Sequence, residues 1–164
     1  MPALGVAKCL AEGACVVGVG NYLRHDDAAG PYIADTLVNK APGLAVLNVE
    51  DVLENYVFRI AERTEPNVII VDAVTTGGVP GSVVFGPMAS FIEHAGATTH
   101  KAALSLSSSI FEKSGKKVWL FGIEAKDTGF GAGISPEVRQ SADAAVALFM
   151  RHAPSTASVE EIVQ

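Results

Sequence analysis

Gly18-Val19-Gly20-Asn21-Tyr22-Leu23-Arg24-His25-Asp26-Asp27-Ala28-Ala29-Gly30-Pro31 is the stretch on which the reading of the fold turns. It follows the apolar run Ala14-Cys15-Val16-Val17, which has the character of a buried strand. It leads into Ala29, Ile33 and Leu37 at i, i+4 and i+8, the spacing of a helix face. The acidic pair therefore falls in a strand-to-helix turn. In an open α/β sheet such turns lie at the carboxyl edge of the strands, where ligands bind. One Asp is accounted for as a helix N-cap; a second needs another reason. Pro31 suits a first helical turn, which places the helix start between Asp27 and Gly30. The glycines do not make a dinucleotide loop, because Leu23 stands where the third glycine of G-x-G-x-x-G is required.

Outward from this turn, Leu44–Val49 reads as a second strand, followed by a polar turn with Glu50, Asp51, Glu54 and Asn55 and a helical face of Leu53, Val57 and Ile60. Val68-Ile69-Ile70-Val71 is unalternating and β-branched, as a strand covered on both faces should be, and it runs directly into Asp72. Ser82–Phe85 is a short strand after a glycine-rich loop. The connection is too short for a helical crossover, so this strand is expected beside the third as a hairpin-like neighbour in a mixed sheet. Met88–His94 reads as a short helical turn. Leu104, Leu106, Ile110 and Phe111 mark a helix ending near Gly115, and Lys117–Gly122 a last strand. Glu124–Gly133 is loop, and Ser135-Pro136-Glu137 opens the clearest helix as N-cap, N1 proline and early acid. The alternation predicts an α/β fold: a three-layer sandwich whose mixed, twisted sheet of about five strands carries helices on both faces. Residues 1–164 read as a single domain with a mobile tail at 154–164.

The 164 residues are 49% hydrophobic and 18% charged, enough for one real core. A net charge of -6 gives no basic surface for nucleic acid or an anionic membrane. No apolar run approaches the roughly 20 residues of a membrane helix, and the first residues lack a secretory pattern, so the expected location is the cytoplasm. Cys9 and Cys15 fit no zinc or redox spacing and are expected to be buried, inert thiols.

Three candidate ligands follow strands or precede a helix: Asp26 or Asp27, Asp72, and His100. Two carboxylates and an imidazole suit a divalent transition metal with positions left open. Spacing alone leaves caps and surface residues as the ordinary explanation.

The ordered set of motifs adds to this. Gly18-Val19-Gly20-Asn21 with Asp26-Asp27-Ala28-Ala29-Gly30-Pro31, Val71-Asp72-Ala73 with Pro80-Gly81, and Thr98-Thr99-His100 with Leu104 together resemble the hydrogenase maturation proteases. These endopeptidases trim the C-terminal extension of nickel-iron hydrogenase large subunits. Glu54-Asn55 and the Thr-Thr-His motif are most similar to the branch serving formate-hydrogenlyase-type hydrogenases. The resemblance implies metal ligation by Asp27, Asp72 and His100, catalytic roles for Asp27 and Asp72, and a hydrogenase large-subunit precursor as partner. It implies nickel as the metal, supplied by the precursor rather than resident, since two oxygens and one nitrogen hold nickel weakly beside thiolates. The resemblance aligns Asp27 with the ligand and leaves Asp26 to cap the helix or shape the turn. Gly122-Ile123-Glu124-Ala125 departs from the family's Gly-Ile-Gln-Pro. Two other classes are compatible with the same residues: a non-catalytic nickel-binding accessory protein, and a small-molecule hydrolase on a similar sheet.

Overall fold

The computed structural model describes residues 2–93 and 100–155. In chain order the elements are α1 (Pro2–Glu12), β1 (Ala14–Val19), α2 (Ala29–Lys40), β2 (Ala45–Glu50), α3 (Val57–Ala61), β3 (Asn67–Val74), β4 (Val83–Pro87), α4 (Met88–Ile92), α5 (Lys101–Lys113), β5 (Lys117–Glu124) and α6 (Pro136–His152). Short 3-10 turns at His25–Ala28 and Leu53–Asn55 precede α2 and α3.

Every residue of β1 and of β3 is buried, which the sequence of each demands: neither offers a polar face to water. Because side chains alternate along a strand, each strand feeds two cores. Val16, Ile69, Val71 and Phe121 pack with Val6, Ile33, Leu37 and Phe149 of α1, α2 and α6. Val17, Val68, Ile70 and Leu120 pack with Ile60, Met88, Leu104 and Phe111 of α3, α4 and α5. The result is the expected three-layer sandwich around a five-stranded mixed sheet.

The strand order is β2-β1-β3-β5-β4, with β4 antiparallel to β5 and the rest parallel. This corrects the expectation that β4 lies beside β3. β5 takes that place, pairing Val71 with Phe121 and Asp72 with Gly122, and β4 pairs only with β5. The reason is burial: β5 is almost wholly covered, whereas β4 is half-buried and suits an edge. A second difference is α1, a helix absent from the sequence reading although its buried Val6, Cys9 and Leu10 stand at helical spacing. Both cysteines are free and buried, and burial first of all pushes each thiol up to about 11, so they are inert as expected. Leu106, counted with the apolar face of α5, lies instead at the surface, 66% exposed.

The chain leaves β1 toward one edge of the sheet and returns at β3 toward the other, so a crevice opens between the carboxyl ends of these two neighbours. Two glycines hold α2 close behind it. Gly20 has φ +153, and a Cβ there would meet the Asp27 carbonyl. A Cβ on Gly30 would run into the carbonyl oxygens of Val19 and Val71, so the first turn of α2 is seated on the backbone of β1 and β3. His94, Thr98, Thr99 and residues 156–164 of the expected tail lie outside the described residues.

Gly30→Ala should therefore destabilise the protein by about 1–3 kcal/mol, because the added methyl presses on backbone that cannot rotate away. Urea unfolding should show a lower midpoint with an unchanged slope; a wild-type midpoint would refute this account of the β1–α2 contact.

Candidate metal centre

The two members of the acidic pair go to opposite destinations. Asp26 is fully buried, and its carboxylate turns toward the loop after β5. Its Oδ2 accepts the backbone N–H groups of Lys126 at 2.8 Å and Asp127 at 3.1 Å, and the Ser135 hydroxyl at 2.9 Å. Its Oδ1 accepts the Ser135 N–H at 2.7 Å. Burial alone would raise the Asp26 pKa and is the largest single influence. The backbone and hydroxyl donors together outweigh it and hold the carboxyl below the ordinary range. Asp26 does not cap α2, which has no side-chain cap, so the turn-shaping half of its expected role is the one observed. Ser135 likewise precedes α6 without capping it, because its hydroxyl goes to Asp26.

Asp27, 2% exposed, faces the crevice. Its Oδ2 accepts the Asn21 N–H at 3.0 Å and stands 3.6 Å from His100 Nε2. Asp72 is equally buried inside the last residues of β3; its Oδ1 accepts the Ala73 N–H at 2.8 Å, and its Oδ2 is 3.1 Å from His100 Nδ1. His100 sits where α5 begins, so its imidazole lies between the two carboxylates. The structure thus brings together all three predicted ligands, each offering one ligating atom within 4.8 Å of the others. Donors sharing one ion at bond lengths of about 2.1 Å stand roughly 3–3.5 Å apart, so small side-chain rotations would gather them. The donor set, two carboxylate oxygens and one imidazole nitrogen, fits a divalent transition metal with open positions.

The cluster opens into a cavity of about 530 Å³ lined also by Asn21, Arg24, Asp51, Thr75 and Thr128. Arg24 and Thr128 carry no signal in the sequence. Arg24 donates from Nε to the Thr128 carbonyl at 3.2 Å and stacks over Phe130, its guanidinium carbon 4.5 Å from the ring centre. Only the closed geometry of the loop after β5 reveals it. Glu124 is also newly placed: buried at the end of β5, it accepts the N–H groups of Thr76 and Gly77 and the Thr76 hydroxyl, and so pins the loop that carries Thr75.

Burial pushes the Asp72 carboxyl up to about 6, against the opposing pull of His100. Burial also works to lower the His100 pKa and is the largest influence on it. The hydrogen bond to Asp72 and the charges of Asp72, Asp27 and Asp51 outweigh it, leaving the imidazole above its ordinary value. Both groups therefore bind protons more tightly folded than unfolded. Their contribution to stability is complete below the unfolded pKa values and is lost as pH rises through the folded ones.

Without metal, the melting temperature should accordingly fall as pH rises through about 6 and above, and Asp72→Asn should flatten that slope. A chelator-treated pH series of thermal melts checks this; a rise over the same window in wild type would contradict it. Asp26→Ala should cost about 3 kcal/mol at any pH above 5, since it strands several buried donors to a charged acceptor. Denaturant titration reads that loss, and a change below 1 kcal/mol would remove Asp26 from its structural role.

The sequence profile of the hydrogenase maturation protease family, HycI, matches residues 39–152, well over half of the chain. The matched stretch includes Asp72 and His100, while Asp27 lies before it, so its partnership with them rests on the geometry above. No curated protein sequence matches. Among solved structures, the HycI maturation protease of Thermococcus kodakarensis KOD1 superposes with a TM-score of 0.76 at 23% identity, over 91% of this chain and 98% of that one. HycI of Escherichia coli gives 0.72 at 21% identity, over 82% and 87%. HybD of Escherichia coli gives 0.70 at 22% identity, over 82% and 88%. These likenesses establish a common fold. With the profile match across β2 to α6, they assign the chain to the hydrogenase maturation proteases, and it is a peptidase of that family.

Proposed function

We propose that this peptidase removes the C-terminal extension of a nickel-iron hydrogenase large-subunit precursor after nickel insertion, and that it recognises the inserted nickel through Asp27, Asp72 and His100. The observation that carries the reading is the convergence of these three side chains at the mouth of the β1/β3 crevice in a chain of this family. The formate-hydrogenlyase branch is the proposed source of the precursor, on the strength of Glu54-Asn55 beside the HycI profile.

Nickel arrives as part of the substrate, and when presented to the cavity it supplies a Lewis-acidic centre. The chain's own residues do the rest. Asp27 and Asp72 would each turn one carboxylate oxygen toward it, and Ala73 N–H holds the other oxygen of Asp72 in place. His100 must ligate as neutral imidazole, so the proton on whichever nitrogen ligates, Nδ1 beside Asp72 Oδ2 or Nε2 beside Asp27 Oδ2, has to leave. Arg24, steadied by Thr128 and Phe130, is placed to donate to a carbonyl oxygen of a peptide lying in the cavity. The catalytic part of the proposal falls on Asp27 and Asp72, but not as a pair of adjacent carboxylates sharing a proton. Asp26 is engaged elsewhere, and between Asp27 and Asp72 stands the His100 imidazole.

No helix among the described residues is long and apolar enough to cross a membrane. A purely nickel-binding role would use the same three ligands without cutting a bond, and cleavage distinguishes it.

Mixing the purified protein with nickel-loaded and nickel-free precursor should yield the shortened subunit only from the loaded form. Asp72→Asn should lose processing by two orders of magnitude or more while remaining folded. Cleavage should also decline as pH falls through about 6, because Asp72 and His100 are then protonated and cannot ligate. Equal cutting of both precursor forms, or full activity of Asp72→Asn, would dispose of nickel recognition by this cluster.

A further inference from the structure

We infer that the apolar groove between α3 and α5 receives the C-terminal extension of the precursor, laid out as an extended strand. The inference rests on the function proposed above and adds a substrate-binding surface to it.

Helix α5 carries two apolar stripes. Leu104 and Phe111, with Ser108, are buried on the sheet side. Ala103, Leu106 and Ile110, at i, i+3 and i+7, form the second, which faces Val57 and Phe58 of α3 across a groove of about 380 Å³. Leu106 is 66% exposed and Phe58 73%. Large apolar side chains facing each other across an open groove mark a contact surface rather than scattered surface residues.

On both of its walls the groove is lined by residues close in the chain to those that line the metal cavity. His100 immediately precedes α5, and Ala103 lies one helical turn further on. In the β2–α3 connection, Asp51 lines the cavity and Glu54 lines the groove. A peptide whose scissile bond sits beside Asp27, Asp72 and His100 can therefore run directly into it. From Ala103 to Ile110 the helix rises about 10 Å, at roughly 1.5 Å per residue. That length accepts about three residues of extended chain at roughly 3.3 Å each, with alternate side chains pointing inward.

The shape favours the extension over the body of the precursor. The body must bring its nickel to the cavity, and Leu23 and Phe130, next to the cavity-lining Arg24 in the chain and in a ring contact with it respectively, stand exposed on the loops after β1 and β5. The extension continues past the cut and departs with it, so it is the part free to lie as a strand along the groove. An apolar lining interrupted by Glu54 and Ser107 selects apolar side chains within that strand.

The test uses Phe58→Ser and Leu106→Asp, both at exposed positions, each confirmed as folded by an unchanged melting temperature. With nickel-loaded precursor, KM should rise roughly tenfold while kcat and the nickel affinity of the isolated protein stay at wild-type values. A precursor whose extension has its apolar residues nearest the cut replaced by serine should show the same rise on wild-type protein, and no further rise on Leu106→Asp. Wild-type KM in both variants, or losses that add in full between variant and altered precursor, would overturn the groove assignment and leave the proposed function standing. Failure of wild-type protein to cut the loaded precursor would instead overturn both.

Discussion

The buried carboxylate of Asp26 is the tie on which the site depends. It joins the turn after β1 to the loop after β5 by accepting donors from Lys126, Asp127 and Ser135. A loop as long as the one between β5 and α6 has little cohesion of its own, and a satisfied buried anion gives it one geometry. Further bonds follow from the same closure: His25 N–H donates to the Gly131 carbonyl, and Gly131 N–H to that of Leu23. With Asp26 turned outward from the crevice, its neighbour Asp27 is turned into it. The pairing of the two aspartates is thus a division of labour between holding the scaffold and facing the crevice.

That scaffold supports a costly arrangement. Asp72 is buried within the most covered strand of the sheet and relies on an imidazole and a single backbone N–H to compensate its charge. Desolvation outweighs those partners, which is why its carboxyl holds a proton to unusually high pH. Such a group detracts from folding in the metal-free state at neutral pH. It is tolerable because the surrounding sheet is packed on both faces, and sites of this kind routinely exchange stability for chemistry. His25 at φ 44, opening the turn after β1, and Glu50 at φ 49, ending β2, add local backbone strain, the kind of cost that clusters around functional sites.

Much of this is legible from residue order. The β-branched run into Asp72, the helix spacing after Pro31 and the Ser-Pro-Glu start of α6 each carry a local signal that tertiary packing does not override. The convergence of the three candidate ligands is legible through the order of the motifs more than through their separation in sequence. What escapes depends on contacts that periodicity does not encode. A short connection favours β4 as a hairpin partner of β3; the greater burial demanded by β5 decides otherwise. Ser135 carries a capping signature, but a buried acid on another loop competes for its hydroxyl and wins. Arg24 and Glu124 have no pattern to announce them, since their roles exist only when distant loops meet. The helix α1 is the one local signal overlooked, with Val6, Cys9 and Leu10 in register and Gly13 at φ 106 ending it.

The three candidate ligands come from the turn after β1, the end of β3 and the start of α5, and no two are near neighbours in the chain. A nascent or partly folded polypeptide therefore has no local motif with which to chelate an ion, unlike a chain whose donors sit within one short loop. Chelating power arrives only when the parallel pairing of β1 with β3 is complete and α5 has docked, contacts that are among the slower ones to form. Immature copies would be poor chelators, and the order of folding itself would keep the three side chains from holding an ion before the sheet and its helices are in place.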